Sequence, residues 1–169
     1  MWLSQKRQRW NDRHLTVSEN RKVISTNRKA RHDYELLDTF EAGLVLTGSE
    51  IKSIRSGHVN LREGYVLPRD GELWLINTHI ASYDQAGRYG HDPLRPRKLL
   101  LHRKEIERIL SRVQEKGLTI VPTQLYLARG RAKVEIALAR GKRQYDKREA
   151  LRQRDSQRQI ERSLRDRDS

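Results

Sequence analysis

Three cationic blocks hold most of the chemistry that this chain's residue types offer. The first, Asn27-Arg28-Lys29-Ala30-Arg31-His32-Asp33-Tyr34, puts three cations and two aromatic rings into eight residues. Guanidinium groups grip phosphate through paired hydrogen bonds, and a ring such as His32 can stack on an unpaired base. Tyr34 reads as an ordinary core aromatic. The second block, Asp92-Pro93-Leu94-Arg95-Pro96-Arg97-Lys98-Leu99-Leu100-Leu101-His102, sets cations beside two prolines. Proline stiffens the chain and removes ladder donors, so an extended segment with its cations open to a partner is expected. At least two of the three leucines should anchor it to the core.

The third block, Gly141-Lys142-Arg143-Gln144-Tyr145-Asp146-Lys147-Arg148, opens a tail. From Arg140 to Ser169 there are eleven Lys and Arg against six Asp and Glu, with almost nothing apolar. Such a segment has no core of its own and is expected to stay disordered until a polyanion orders it. Coiled as a helix, it would align Lys147, Arg154, Arg158, Arg162 and Arg165 in a stripe that suits a groove of phosphates. The interleaved carboxylates equally fit a solvated, salt-bridged single helix.

The rest of the composition narrows the chemistry. A formal charge of +14, from 36 basic and 22 acidic residues, makes nucleic acid the first partner to consider. No stretch has the one-sided apolar face of an interfacial helix, so no membrane partner is expected. Cysteine is absent, which removes thiolate nucleophiles, disulfides and cysteine metal sites. The six histidines have no metal-ligand spacing, and no serine sits in a nucleophile elbow. The glycines match neither phosphate-loop fingerprint. The expectation is a binding protein rather than an enzyme, with no cofactor and no metal. The opening MWLSQKRQRW lacks the apolar segment of a secretory signal, so a cytoplasmic location is expected.

These blocks need a scaffold, and the sequence predicts a mainly β one. Asp70-Gly71 supplies a positive-φ turn between apolar runs at Tyr65 to Leu67 and Leu73 to Ile80. Arg129-Gly130 does the same ahead of Val134, Ile136 and Leu138, which alternate with Lys133, Glu135 and Ala137. Tyr34 to Leu46 reads as a further strand or a bent pair. Ser49 can cap a short helix ending at Gly57, with Ile51 and Ile54 on one face. A longer helix from about His102 to Lys116 aligns Ile106, Ile109, Leu110 and Val113, with Gly117 as its stop. Together these give a small OB-like antiparallel β-barrel with two or three helices, a flexible basic N-terminal arm and a basic C-terminal tail.

Four motifs in order, NRKARHDYE, FEAGLVLTGSEIKSIRSG, DP-x-R-x-RKLLLH and GK-x-x-x-DKR, span Asn27 to Arg148. They resemble the SmpB family, the tmRNA (SsrA)-binding proteins of bacterial trans-translation. The resemblance implies an extension over 1–26, an OB-like tmRNA-binding barrel over 27–139 and a tail over 140–169 that is disordered alone and helical on the ribosome. It implies a monomer that binds the tRNA-like domain of tmRNA and enters the A site of a stalled ribosome. Elongation factor Tu would be met indirectly, through alanyl-tmRNA. The residues it nominates for tmRNA are Asn27, Arg28, Lys29, Arg31, Glu41, Lys52, Arg55, Arg97, Lys98, Leu100 and His102. For the ribosome it nominates His32 near the small-subunit decoding centre, and Gly141, Lys142, Arg143, Asp146, Lys147 and Arg148 leading into the mRNA channel. On residue type alone, Glu41 reads as a surface ion pair instead, because phosphate repels a carboxylate. A structural ribosomal or rRNA-associated protein is the alternative reading. Residues 1–26, with Trp2 and Trp10, exceed the short polar leader usual in the family.

Overall fold

A computed structural model describes residues 21–83, 90–142 and 144–165. Two hairpins set its frame. Strands β4 (Tyr65–Arg69) and β5 (Glu72–Ile76) turn at Asp70 and Gly71, whose φ values are 51° and 72°. Strands β8 (Thr119–Ala128) and β9 (Arg131–Gly141) turn at Arg129 and Gly130, at 50° and 74°. Two successive positive φ values match the twist of the flanking strands, which is why glycine holds the second position of each turn. Asn77, at φ 53°, ends β5 before the expected run is complete. His79–Ile80 instead forms β6, paired with the two-residue β3 (Val59–Asn60).

The long strand β2 (Tyr34–Leu44) pairs with β9 on one side and with β7 (Arg97–Leu100) on the other. Pairing then runs β8, β4, β5, β7, β2, β9, and β9 returns to β8, so six antiparallel strands form a ring. Val66, Leu73, Leu75, Leu99, Ala42, Val134, Ile136 and Leu138 point inward and are buried. Helix α3 (Arg103–Lys116) lays Ile106 and Ile109 on this core and stops at Gly117, which has φ 58°. A second cluster of Ile54, Leu61, Ile80 and Leu125 lies under α2 (Gly48–Arg55).

The structure extends the folded chain upstream into the expected N-terminal extension. Arg21–Thr26 is a strand, β1, paired with the second half of β8, and Ile24 joins the second cluster. Its β-branched Val23, Ile24 and Thr26 favour extension, but only a partner more than 90 residues away makes it a strand. Arg28–Asp33 is a short helix, α1, whose Ala30 packs on Val121 and Ala139. The cap of α2 also differs from expectation. Thr47, not Ser49, is the N-cap, and its N–H donates to the Glu50 carboxylate at 2.8 Å. The tail forms helix α4 (Gln144–Arg165), and residues 151–162 are all exposed.

Gly64 is the tightest of the described glycines. A Cβ there would fall 2.5 Å from Thr78 Oγ1 and 3.1 Å from both the Leu61 carbonyl and Pro122 Cγ. Thr78 is fully buried and cannot swing aside. Gly64→Ala is expected to cost about 1–3 kcal/mol through overpacking, read as a lower denaturant midpoint. An unchanged midpoint would mean that the packing around Thr78 yields.

Candidate nucleic-acid interface

Leu100 pairs with Gly43 and Leu99 with Leu44, so the second cationic block is laid along the far end of β2. Strand alternation then sorts its residues. Leu99 is buried, whereas Leu100 faces out with 52% of its surface exposed, and Lys98 lies half-exposed on the same face. His102 caps α3, its N–H bonded to Glu105. Between these residues and strands β2 and β9 lies a cleft of about 530 Å³, lined among others by Glu41, Lys98, Leu100, His102 and Lys133. Four nominated residues from two parts of the sequence meet there, Glu41 from β2 and the other three from the second cationic block.

Lys133 was not among them. Its only sequence signal is a wet-face position on β9. The β2–β9 register brings it to the carboxylate of Glu41, and the two form an ion pair. The Tyr126 hydroxyl donates to the other Glu41 oxygen, and the Arg21 guanidinium lies 3.6 Å from the centre of the Tyr126 ring. Partial burial opposes the charge on Glu41, but the hydrogen bonds from Lys133 and Tyr126 outweigh it and keep its pKa below the usual carboxylate value. Burial, together with Glu41, pushes the Tyr126 hydroxyl up, so it remains a donor. Glu41 therefore makes the surface ion pair that its residue type suggests. It also stays an ionised acceptor beside two cations, which offsets its repulsion of phosphate and leaves it able to take a base amino proton.

The structure withdraws two nominated side chains from the surface. Arg97 is fully buried: its Nε donates to Glu50 at 2.8 Å, and its other nitrogens donate to the carbonyls of Thr78 at 2.7 Å and Pro93 at 3.1 Å. Glu50, also fully buried, takes Arg95 as well, at 2.6 Å. Far from leaving its cations open, the proline-bounded segment turns Arg95 and Arg97 inward to one carboxylate. A burial cost met only by a specific partner explains why residue type misled here. Asn27 is likewise buried, at 2% exposure. Its side-chain oxygen caps α1 at Ala30, and its amide donates to the carbonyls of Leu61 and Pro122. What Asn27 does is fix the helix that displays Arg28, Lys29 and Arg31, which are exposed, with Lys29 paired to Glu63 at 2.8 Å.

Lys52 and Arg55 are exposed on α2, with the Lys52 ammonium 5.5 Å from the Tyr83 ring centre. The ribosome-side nominees gather at the opposite end of β2, where Tyr34 pairs with Gly141. There the Lys142 N–H donates to the Asp33 carbonyl at 3.0 Å, and its ammonium reaches the Arg31 carbonyl at 3.3 Å. His32 is half-buried, with Nδ1 2.9 Å from Asp33. About 23 Å of β-strand separates this end from Glu41 at the cleft, and about 30 Å from Gly43. Arg148 is exposed on α4, Arg143 falls outside the described residues, and so do the side chains of Asp146 and Lys147.

Among the described residues, no group of His, Asp or Glu is placed to hold a metal ion, and no helix is long and apolar enough to cross a membrane. A ring of antiparallel strands with a mixed-charge cleft at the start of α3, on a chain that also displays cations on α1 and α2, defines a small basic β-ring protein of the oligonucleotide-binding type. More particularly, the chain belongs to the SmpB family, whose model, described as SmpB protein, matches residues 24–166. The SsrA-binding protein of Roseiflexus castenholzii (strain DSM 13941 / HLO8) is 60% identical over 147 residues, covering 86% of this chain and 93% of the relative. That of Trichormus variabilis (strain ATCC 29413 / PCC 7937) is 57% identical over 148 residues, covering 87% and 96%. A solved structure described as "tmRNA-SmpB: a journey to the center of the bacterial ribosome" superposes with a TM-score of 0.61 at 49% identity, over 76% of this chain and 94% of that one.

Proposed function

We propose that this protein is a trans-translation factor, a monomer that binds the tRNA-like domain of tmRNA and carries it to the A site of ribosomes stalled on truncated messages. The observation that carries this reading is the cleft, where Glu41 of β2 meets Lys98, Leu100 and His102 of the second cationic block. The family membership and the names of the relatives point the same way. Arg28, Lys29 and Arg31 on α1 and Lys52 and Arg55 on α2 extend the grip by phosphate contact. His32 and the segment from Gly141 to Arg148, at the other end of β2, face the decoding centre and lead the tail into the vacant message channel. Elongation factor Tu joins through alanyl-tmRNA. The protein supplies binding and positioning, not bond chemistry, and acts in the cytoplasm.

The test is direct. The affinity for tmRNA should fall linearly on a log–log plot against salt, by about 0.7 to 0.9 per phosphate neutralised. Lys133→Ala is expected to weaken binding and to reduce that slope by about one. A flat salt response, or a pull-down that returns a spread of ribosomal RNA fragments in place of one dominant tmRNA, would overturn the reading.

A further inference from the structure

The hairpin β4–β5 presents an apolar outer face that lies outside the core clusters formed by the described residues. Its inward side chains, Val66, Leu73 and Leu75, fill the ring. Facing outward are Tyr65 and Leu67, 42% and 46% exposed, and their register partners Ile76 and Trp74, both half-buried. Two aromatic and two aliphatic side chains thus make a cross-strand patch on a chain otherwise rich in charge. Four side chains are too few for a stable protein partner, which takes on the order of 20 residues a side.

The position of the patch narrows what it can hold. Trp74 pairs in register with Lys98 of β7, and Lys98 bridges to Glu72 at 3.2 Å. Lys98 and Glu72 both line the cleft, and Leu100 follows on the same outward face of β7. The patch is therefore continuous with the cleft, one strand spacing away from it, on the sheet face of an OB-like ring. Aromatic rings beside cations on such a face are a stacking platform for unpaired bases, because every base has a π-face and the neighbouring cations hold its phosphate.

We infer that Tyr65 and Trp74, floored by Leu67 and Ile76, form a base-stacking subsite that continues the cleft, and that its occupant is an unpaired base of the RNA gripped there. This rests on the cleft reading above and adds a second contact of different chemistry. It predicts a salt-independent component of affinity, since stacking, unlike phosphate contact, releases few counterions.

The experiment uses the full chain with Trp2→Phe and Trp10→Phe, which leaves Trp74 as the sole tryptophan of three. Titrated with tmRNA transcribed in vitro, its fluorescence should be quenched at the same midpoint as binding. Tyr65→Ala should weaken binding about five-fold or more with the salt slope unchanged, and Tyr65→Phe should restore it. Because Tyr65 is exposed, the alanine variant should keep its denaturation midpoint, and circular dichroism checks this. Glu41→Ala reports on the cleft separately. If it weakens binding while Tyr65→Ala does not and Trp74 stays unquenched, the stacking subsite is overturned and the cleft reading stands. If both variants bind as the parent does, the cleft reading falls as well. Quenching by ribosomes alone but not by tmRNA, or concentration-dependent self-association lost in Tyr65→Ala, would assign the face to another partner and overturn the inference.

Discussion

Replacing Glu50 with alanine is expected to cost about 3–5 kcal/mol, the range found when one partner of a buried ion pair is removed. Glu50 and Arg97 are both fully buried, and among the described residues Glu50 is the only carboxylate that forms an ion pair with Arg97. Without it the guanidinium keeps its charge, and only two carbonyls face it. Arg95, one-third exposed, can turn to water and adds less. The whole second block and the start of β7 hang on this carboxylate, so urea denaturation should show a large fall in midpoint. Glu50→Leu combined with Arg97→Met is expected to recover much of that loss, because it removes both charges. If the double variant is no more stable than Glu50→Ala, the pair is not what holds the segment.

The same carboxylate gives a pH signature. Burial opposes its charge, yet the hydrogen bonds from Arg95, the Thr47 N–H and Arg97 outweigh that and hold its pKa down to about 2 from 4.5. A folded-state pKa below the unfolded one means that the stabilisation is complete above about pH 4.5 and is lost as the pH falls towards 2. Thermal melts across that window should show a decline that is shallower in Glu50→Gln, which has no such proton to take up. Parallel declines would place the acid sensitivity elsewhere.

Truncation after Lys142 carries the largest functional effect. Lys142 is tied to the body through Asp33 and Arg31, and residues 151–162 are all exposed. The shortened chain should therefore fold with an unchanged midpoint and bind tmRNA as the full chain does, since the cleft and both cationic helices are intact. Tagging of nascent chains on stalled ribosomes should be abolished, because no cationic helix remains to occupy the message channel. Tagging that survives would remove the proposed role of the tail, and loss of tmRNA binding would mean that the tail belongs to the tmRNA grip.

The sequence by itself determined whatever depends on neighbours in the chain. Asp70-Gly71 and Arg129-Gly130 turn where positive φ was read, because turn geometry is a two-residue property. Helix α3 follows its 3.6-residue periodicity to Gly117. The charge of +14 and the four motifs were enough to place the family. Only the tertiary structure decided which cations reach solvent. Arg97 and Lys98 are adjacent and look alike in sequence, but strand alternation sends one inward and the other to the cleft. The inward one is tolerated only because Glu50, 47 positions away, meets it. Lys133 finds Glu41 across 92 positions through the β2–β9 register, and β1 becomes a strand only against β8. Burial, desolvation and ion pairing are set by distant partners, so local pattern can name the charged residues of a surface without saying which of them the fold will spend on itself.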